Sequence, residues 1–477
     1  MKKRYFAGGA IAALLAAGVI ALNLSPIGRI YLPSGTGIVA KQMCSLTWVS
    51  GLESDQAYDL YLAPLLGDAG SLIGYEMDAE NREVTSSVLG LFWHQRAVWR
   101  DGLGCTLVHG GHGFDAELTV PVEQDFVPLE LDTAHRDQWF DTEALDAALA
   151  DAFDEIEADS RHTLGVAVLH QGRLVAERYA DGASRDTRFH GWSMTKSAMT
   201  TLAGALVEEG RLDIDAEGAV PALAEIDDIR LSEITISHLL RMAGGLAIAE
   251  DNTGTDPNSE MLFTQSDMPL YAATRERLHA PGEHWQYMSG NTILATDTMQ
   301  RLLGDTLPDQ VAGLRARIYE PLGIYSAIME PGENGVFQGS SYMYATAHDW
   351  ARLALLYMND GMVDAERILP EDWYDIVAEP TPGSNGEYGM GFWLPDERSS
   401  LPTDTIMMSG FQGQWGYVMP EQELVIVRFG ATTGVNSRSG GLALAVLDAL
   451  QPPAMDPAMD TDSDVDGAPE GAPTPDE

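Results

Sequence analysis

The segment Ser193-Met194-Thr195-Lys196 sets a hydroxyl and an amine three residues apart. On a helix that spacing puts both side chains on one face, about one turn from each other. There the ammonium donates to the hydroxyl. Once a dry site or a neighbouring positive charge lowers its pKa, the neutral amine accepts the hydroxyl proton and makes the serine a nucleophile. A serine opening a helix also meets converging backbone N–H groups that suit a developing oxyanion. The same pattern serves in many proteins as an N-cap followed by an exposed lysine, so its meaning depends on its surroundings.

Those surroundings are specific. Phe189-His190-Gly191-Trp192 runs directly into Ser193, with aromatic bulk that excludes water. A second cluster, from Pro281 through Trp285, Tyr287, Ser289 and Gly290 to Asn291, sets a tyrosine, a serine and an asparagine at alternate positions of a turn-rich stretch. A third, Gly410-Phe411-Gln412-Gly413-Gln414-Trp415-Gly416, precedes the last apolar strand and can present an unobstructed backbone N–H to a bound carbonyl.

Elements must bring these clusters together. Met194, Ala198, Leu202 and Leu206 recur at helical spacing after Ser193, with Gly210 where a C-cap belongs. Residues 164–169 and 174–179 read as two strands joined at Gln171-Gly172, and 424–429 as a third. Leu145, Leu149, Phe153 and Ile156 predict a helix over 142–160, and 440–450 predicts another. Strands and helices at both ends of one region, with a mainly helical middle, imply a sheet covered by helices with a helical insert. The segment 30–155 is expected to pack on the domain C-terminal to it. Beyond residue 451 the chain carries eight acids, no basic residue and repeated proline, glycine and alanine, and reads as a disordered tail.

In order and spacing, the three clusters resemble the serine hydrolases related to class C beta-lactamases and D-alanyl-D-alanine carboxypeptidases, and within them the 6-aminohexanoate-dimer hydrolase group. The resemblance covers about 160–450, and extends to 39–113 as an N-terminal extension of that group. It implies an α/β (α+β) fold of the beta-lactamase/transpeptidase type, with an antiparallel sheet flanked by helices and a mainly helical subdomain. It makes Ser193 the acylated nucleophile, Lys196 its partner, and Tyr287 the relay that protonates the leaving group. The N–H groups of Ser193 and Gln414 become the expected oxyanion hole. The wider family usually has asparagine two positions after the tyrosine, where this chain has Ser289, with Asn291 further on. The third motif often starts with lysine or histidine, where this chain reads Gln412-Gly413-Gln414. Without that cation, selection for the carboxylate of a beta-lactam or peptide terminus weakens.

The expected activity is therefore two-step hydrolysis of a small amide or ester, without cofactor. The rival expectations are a D-alanyl-D-alanine carboxypeptidase or weak beta-lactamase, and a non-catalytic penicillin-binding-like scaffold. Trp192, Trp285 and Trp415 each adjoin a motif and are read as pocket linings, with core packing as the alternative. Tyr342 and Tyr344, after Gly339-Ser340-Ser341, form a candidate cleft wall, and Ser289, Asn291 and Gly413 complete the pocket set.

Composition narrows the rest. Lysine and arginine number 28 against 72 acids, for a formal charge of −44, which repels phosphate backbones and excludes nucleic acid as a natural partner. Met1-Lys2-Lys3-Arg4 precedes residues 5–28, which carry no charge; residues 1–29 read as a secretory signal or a membrane anchor, placing the rest in the periplasm or outside the cell. In that setting Cys44 and Cys105, the two cysteines present, can form a disulfide, the alternative being two buried thiols. His109 and His112 flank glycines without a carboxylate at helix spacing, so no metal site is expected. Gly191-Trp192-Ser193-Met194-Thr195 lacks the final glycine of a nucleophile elbow. The expected organisation is an N-terminal segment 1–29, an extension 30–155, a hydrolase domain 156–450 and a tail 451–477. The sequence leaves the oligomeric state open.

Overall fold

The computed structural model describes residues 21–451 except 23, 122–124, 156–159, 252, 397 and 434–439. Most of the candidate signal or anchor, and the acidic tail past residue 451, lie outside the described residues. Among the described residues no helix is long and apolar enough to cross a membrane.

Helix α1 (Leu32–Trp48) carries a proline in its first turn, where no N–H is needed. It lies on a four-stranded antiparallel sheet of β1 (Ile73–Asp78), β2 (Glu83–Val88), β3 (Phe92–Arg100) and β4 (Gly104–Leu107), in that order. Along β2 every second residue, Val84, Ser86 and Val88, points inward, as a half-covered sheet requires. A disulfide joins Cys44 of α1 to Cys105 of β4.

Helix α2 (Thr142–Phe153) is capped by the Asp141 carboxylate, which accepts from the Ala144 N–H at 3.0 Å. It is shorter than its apolar periodicity predicts, because Asp154 already has extended backbone. Strands β5 (Thr163–His170) and β6 (Arg173–Tyr179) turn tightly at Gln171-Gly172, both left-handed with φ +51° and +74°. The helices α3 (Met194–Glu208), α4 (Pro257–Thr264), α5 (Ser289–Arg301) and α6 (Ala347–Met358) come next. The chain ends its fold with β7 (Ile406–Gly410), β8 (Gln414–Met419), β9 (Leu424–Gly430) and α7 (Gly440–Ala449).

The main sheet is antiparallel, in the order β7-β8-β9-β5-β6. Its central strands β9 and β5 are buried at every position because helices cover both faces. Val166, Val168 and Ile426 pack with Leu145 of α2 and Val446 of α7, while Ala167, Leu169, Val425 and Val427 join the core that holds α3 and α6. The expected architecture of an antiparallel sheet flanked by helices is the one observed.

A buried ion pair fastens the 30–155 segment to the rest of the molecule. Lys41 Nζ of α1 lies 2.5 Å from Glu330 Oε2, and both side chains have no exposed surface. Glu330 also accepts from the Ser45 hydroxyl at 2.9 Å and the Cys105 N–H at 2.6 Å. A dry carboxylate is tolerable only with such a full set of donors. Lys41→Met is expected to destabilise the protein by about 3–5 kcal/mol in denaturant titration, through the orphaned Glu330 charge. Combining it with Glu330→Leu should recover most of that loss. A double variant as unstable as the single one would place the effect elsewhere.

Candidate active site

The turn into α3 is held in an unusual conformation. Trp192 has φ +46°, a left-handed backbone that a bulky side chain rarely adopts. Two glycines allow the crowding around it. A Cβ on Gly191 would stand 2.2 Å from the Trp350 ring, and one on Gly410 would stand 2.2 Å from the Gly191 carbonyl oxygen. The end of β7 therefore lies directly against the residues that precede Ser193. Trp192 Nε1 donates to Gln412 Oε1 at 3.3 Å, and Gln412 Nε2 donates to the Tyr61 carbonyl at 3.0 Å. The N-terminal region thus braces the third cluster against the first.

Ser193 is the N-cap residue of α3, yet its side chain makes no capping bond. Its hydroxyl instead receives Lys196 Nζ at 2.9 Å, one turn along the helix as the spacing predicts. The same amine donates to Ser289 Oγ at 3.1 Å and to the Ser340 carbonyl at 3.0 Å. Burial lowers the Lys196 pKa to about 8, with the Glu250 carboxylate opposing the shift.

Tyr287 completes the group. Lys196 Nζ lies 4.8 Å from its ring centroid, and its hydroxyl meets the Ser193 side chain. Burial, and next the charge of Glu250, push the Tyr287 phenol well above its ordinary value. The phenol therefore keeps its proton at neutral pH, and the lysine is the member of the pair able to lose one.

A cavity of about 180 Å³ opens at Ser193, bordered there by Trp192, Glu250, Ser289, Ser341 and Phe411. Glu250 Oε2 accepts from the Ser289 N–H at the start of α5, at 2.6 Å. Neither Glu250 nor the Ser340 carbonyl is legible from local spacing: each lies in a turn-rich stretch far from Ser193 in the chain and reaches the site only through the fold.

Several expected pocket residues lie elsewhere. Tyr342 and Tyr344 are fully buried and stack on His190, with ring centroids 5.0 and 4.5 Å away. Trp285 packs against Tyr388 and Trp393, behind Tyr287. Asn291 is buried inside α5, where its amide approaches Gly244. Trp415 stacks on Tyr417 along β8 and lines a separate hollow with Trp393. Gly413, at φ +79°, backs onto the Arg428 guanidinium and Thr432. Of the eight candidates, Trp192 and Ser289 border the Ser193 cavity.

Of the two expected oxyanion-hole donors, Ser193 borders the cavity and Gln414 does not. Gln414 opens β8 with its carboxamide turned into the sheet, donating to the carbonyls of Phe411 and Gln412 at 3.0 Å and of Gly430 at 2.6 Å. Phe411, at the end of β7, borders the cavity instead. Among the described residues, the N–H groups of Ser193 and Phe411 donate to no carbonyl. The three-residue turn 411–413 takes left-handed conformations at Gln412 and Gly413.

The curated 6-aminohexanoate-dimer hydrolase of Paenarthrobacter ureafaciens is 24% identical over 254 residues, which is 48% of this chain and 61% of that relative. The match thus spans less than two thirds of the relative's length. A solved structure from Bacillus anthracis, assigned as a 6-aminohexanoate-dimer hydrolase, superposes with a TM-score of 0.52 at 21% identity, over 68% of this chain and 87% of that one. A family VIII carboxylesterase superposes with a TM-score of 0.52 at 15% identity, over 69% and 99%. These structures share the fold. A family model described as beta-lactamase matches residues 148–451, the stretch from within α2 to the end of α7 that holds all three clusters. With more than half of its length matched, the chain belongs to the beta-lactamase family and has a serine-hydrolase type of enzyme fold.

Proposed function

We propose that the protein hydrolyses an amide or an ester through an acyl-enzyme on Ser193. The observation that carries this reading is the Lys196 amine, its pKa lowered to about 8, donating to a Ser193 hydroxyl that caps no helix and opens on a cavity. Neutral Lys196 takes the Ser193 proton as Oγ attacks the carbonyl carbon. The Ser193 and Phe411 N–H groups hold the oxyanion. Tyr287, which keeps its phenolic proton, passes one to the departing amine or alcohol and is refilled through Lys196. Water then attacks the acyl-enzyme along the reverse path and releases the acid. Glu250 lines the same cavity, and its carboxylate there disfavours a substrate that brings a carboxylate of its own, which speaks against both rival substrate classes. The names of the relatives, a 6-aminohexanoate-dimer hydrolase and a carboxylesterase, fit this chemistry. The uncharged N-terminal run and the Cys44–Cys105 disulfide support export to an oxidising compartment.

The test uses the full chain with p-nitrophenyl acetate and a linear aminohexanoate amide. Intact mass and peptide mapping should find the acyl group on the peptide that contains Ser193, together with release of both product halves. Folded protein that gives neither a mass increase nor product would overturn the proposal.

A further inference from the structure

We infer that the substrate carries an uncharged apolar chain, and that the N-terminal region builds the wall that holds it. This rests on the hydrolytic reading of Ser193 and names its substrate class. Moving away from Ser193, the cavity becomes a slot between two helices. On one side stand Tyr31, Ser34, Gly35 and Ile38. Their spacing of i, i+3, i+4 and i+7 is one continuous face at the start of α1. Opposite them α4 presents Leu262 and Phe263, while Leu65, Leu66 and Ile73 close the slot between α1 and β1.

The chemistry of the slot selects its occupant. Ser34 Oγ donates across it to the Ser259 carbonyl at 3.3 Å, so that wall hydroxyl is already engaged. Glu250 is the one charged side chain among the described residues that line the cavity. No lysine, arginine or histidine stands there to receive a carboxylate, and Glu250 repels one. Gly35 lets Ile73 approach α1 closely, since a Cβ there would lie 3.0 Å from Ile73 Cδ1, and a larger side chain at this position has to push into the slot. Tyr31, Gly35 and Ile38 keep partial exposure on a helix otherwise mostly buried, and they are residues of this face. An apolar lining of this kind gains from each methylene it takes out of water.

The experiment measures kcat/KM on the full chain for two ester series at submicellar concentration. One lengthens the acyl chain of p-nitrophenyl esters from acetate to decanoate. The other lengthens the alkyl chain of acetate esters from ethyl to octyl. At least one series should rise about threefold per added methylene until the slot is filled. Gly35→Leu and Ile38→Trp should each lower the long-to-short ratio about tenfold or more; a ratio taken within one preparation cancels any loss of folded protein. An ω-carboxylate on the longer chain should cost at least about tenfold. Flat profiles in both series, with acetate still turned over through acylated Ser193, would overturn the inference and leave the hydrolase reading standing. So would a rising profile that neither variant alters, or equal turnover of the carboxylate ester. Absence of any Ser193-linked turnover would overturn both.

Discussion

Ser193→Ala is expected to lower kcat/KM for ester and amide substrates at least about 10⁴-fold, with the melting temperature nearly unchanged. The two halves of this prediction have one cause. A serine at an N-cap normally contributes to stability by accepting a helix N–H, and its loss costs about 1 kcal/mol. Ser193 makes no such bond; its hydroxyl is held by Lys196 at 2.9 Å and met by Tyr287. Removing it therefore takes away the acyl acceptor while the backbone of α3 keeps its own bonds. The neighbouring Ser289 supplies the control, because its hydroxyl also receives Lys196 Nζ, at 3.1 Å, and also borders the cavity. If geometry near the lysine were sufficient, either serine would serve as nucleophile. In the proposed mechanism only Ser193 combines it with the oxyanion-holding N–H groups, so Ser289→Ala should cost no more than about a hundredfold. Comparable losses in the two variants, or a Ser193→Ala protein that still accumulates acyl-enzyme, would refute the assignment.

How much of the site was legible from residues alone depends on how local each signal is. The Ser193–Lys196 contact is one turn of helix, so spacing suffices to place it. Residues 164–169 and 424–427 show their strands because burial on both faces leaves a short unbroken apolar run. Tyr287 and Ser289 straddle the start of α5, which turns both towards Lys196, whereas Asn291 is carried into the helix interior. Local alternation cannot say where a helix begins, and that boundary decides which of the three faces the site. Trp285 and Trp415 have the aromatic character of a pocket wall and the contacts of a core, and composition does not separate these uses. The face of Tyr31, Gly35 and Ile38 is the least legible part. It meets Leu262 and Phe263 more than two hundred positions later, and neither segment shows the other what it faces.

Lys196→Met should reduce kcat/KM about 10³-fold and, more tellingly, should erase the acidic limb of its pH dependence. In the wild type the limb arises because the reacting form is the neutral amine. Burial lowers the Lys196 pKa to about 8, so the neutral fraction grows as pH rises through that value. The rate should increase across the same interval and level off above it. Below pH 8 each unit of acidity removes about tenfold of the active form, the behaviour of a single essential base. Tyr287 cannot produce this limb, since its phenol is pushed well above its ordinary value and stays protonated throughout. Tyr287→Phe should therefore be slower, by about a hundredfold, yet keep a limb near pH 8. The pair of variants separates the two roles in a way that rate losses alone do not: one flattens the profile, the other lowers it without changing its shape. A Lys196→Met protein that retained the limb would identify another group as the base. Its disappearance in Tyr287→Phe would mean that lysine and tyrosine titrate as one unit, with the proton shared rather than held on Nζ.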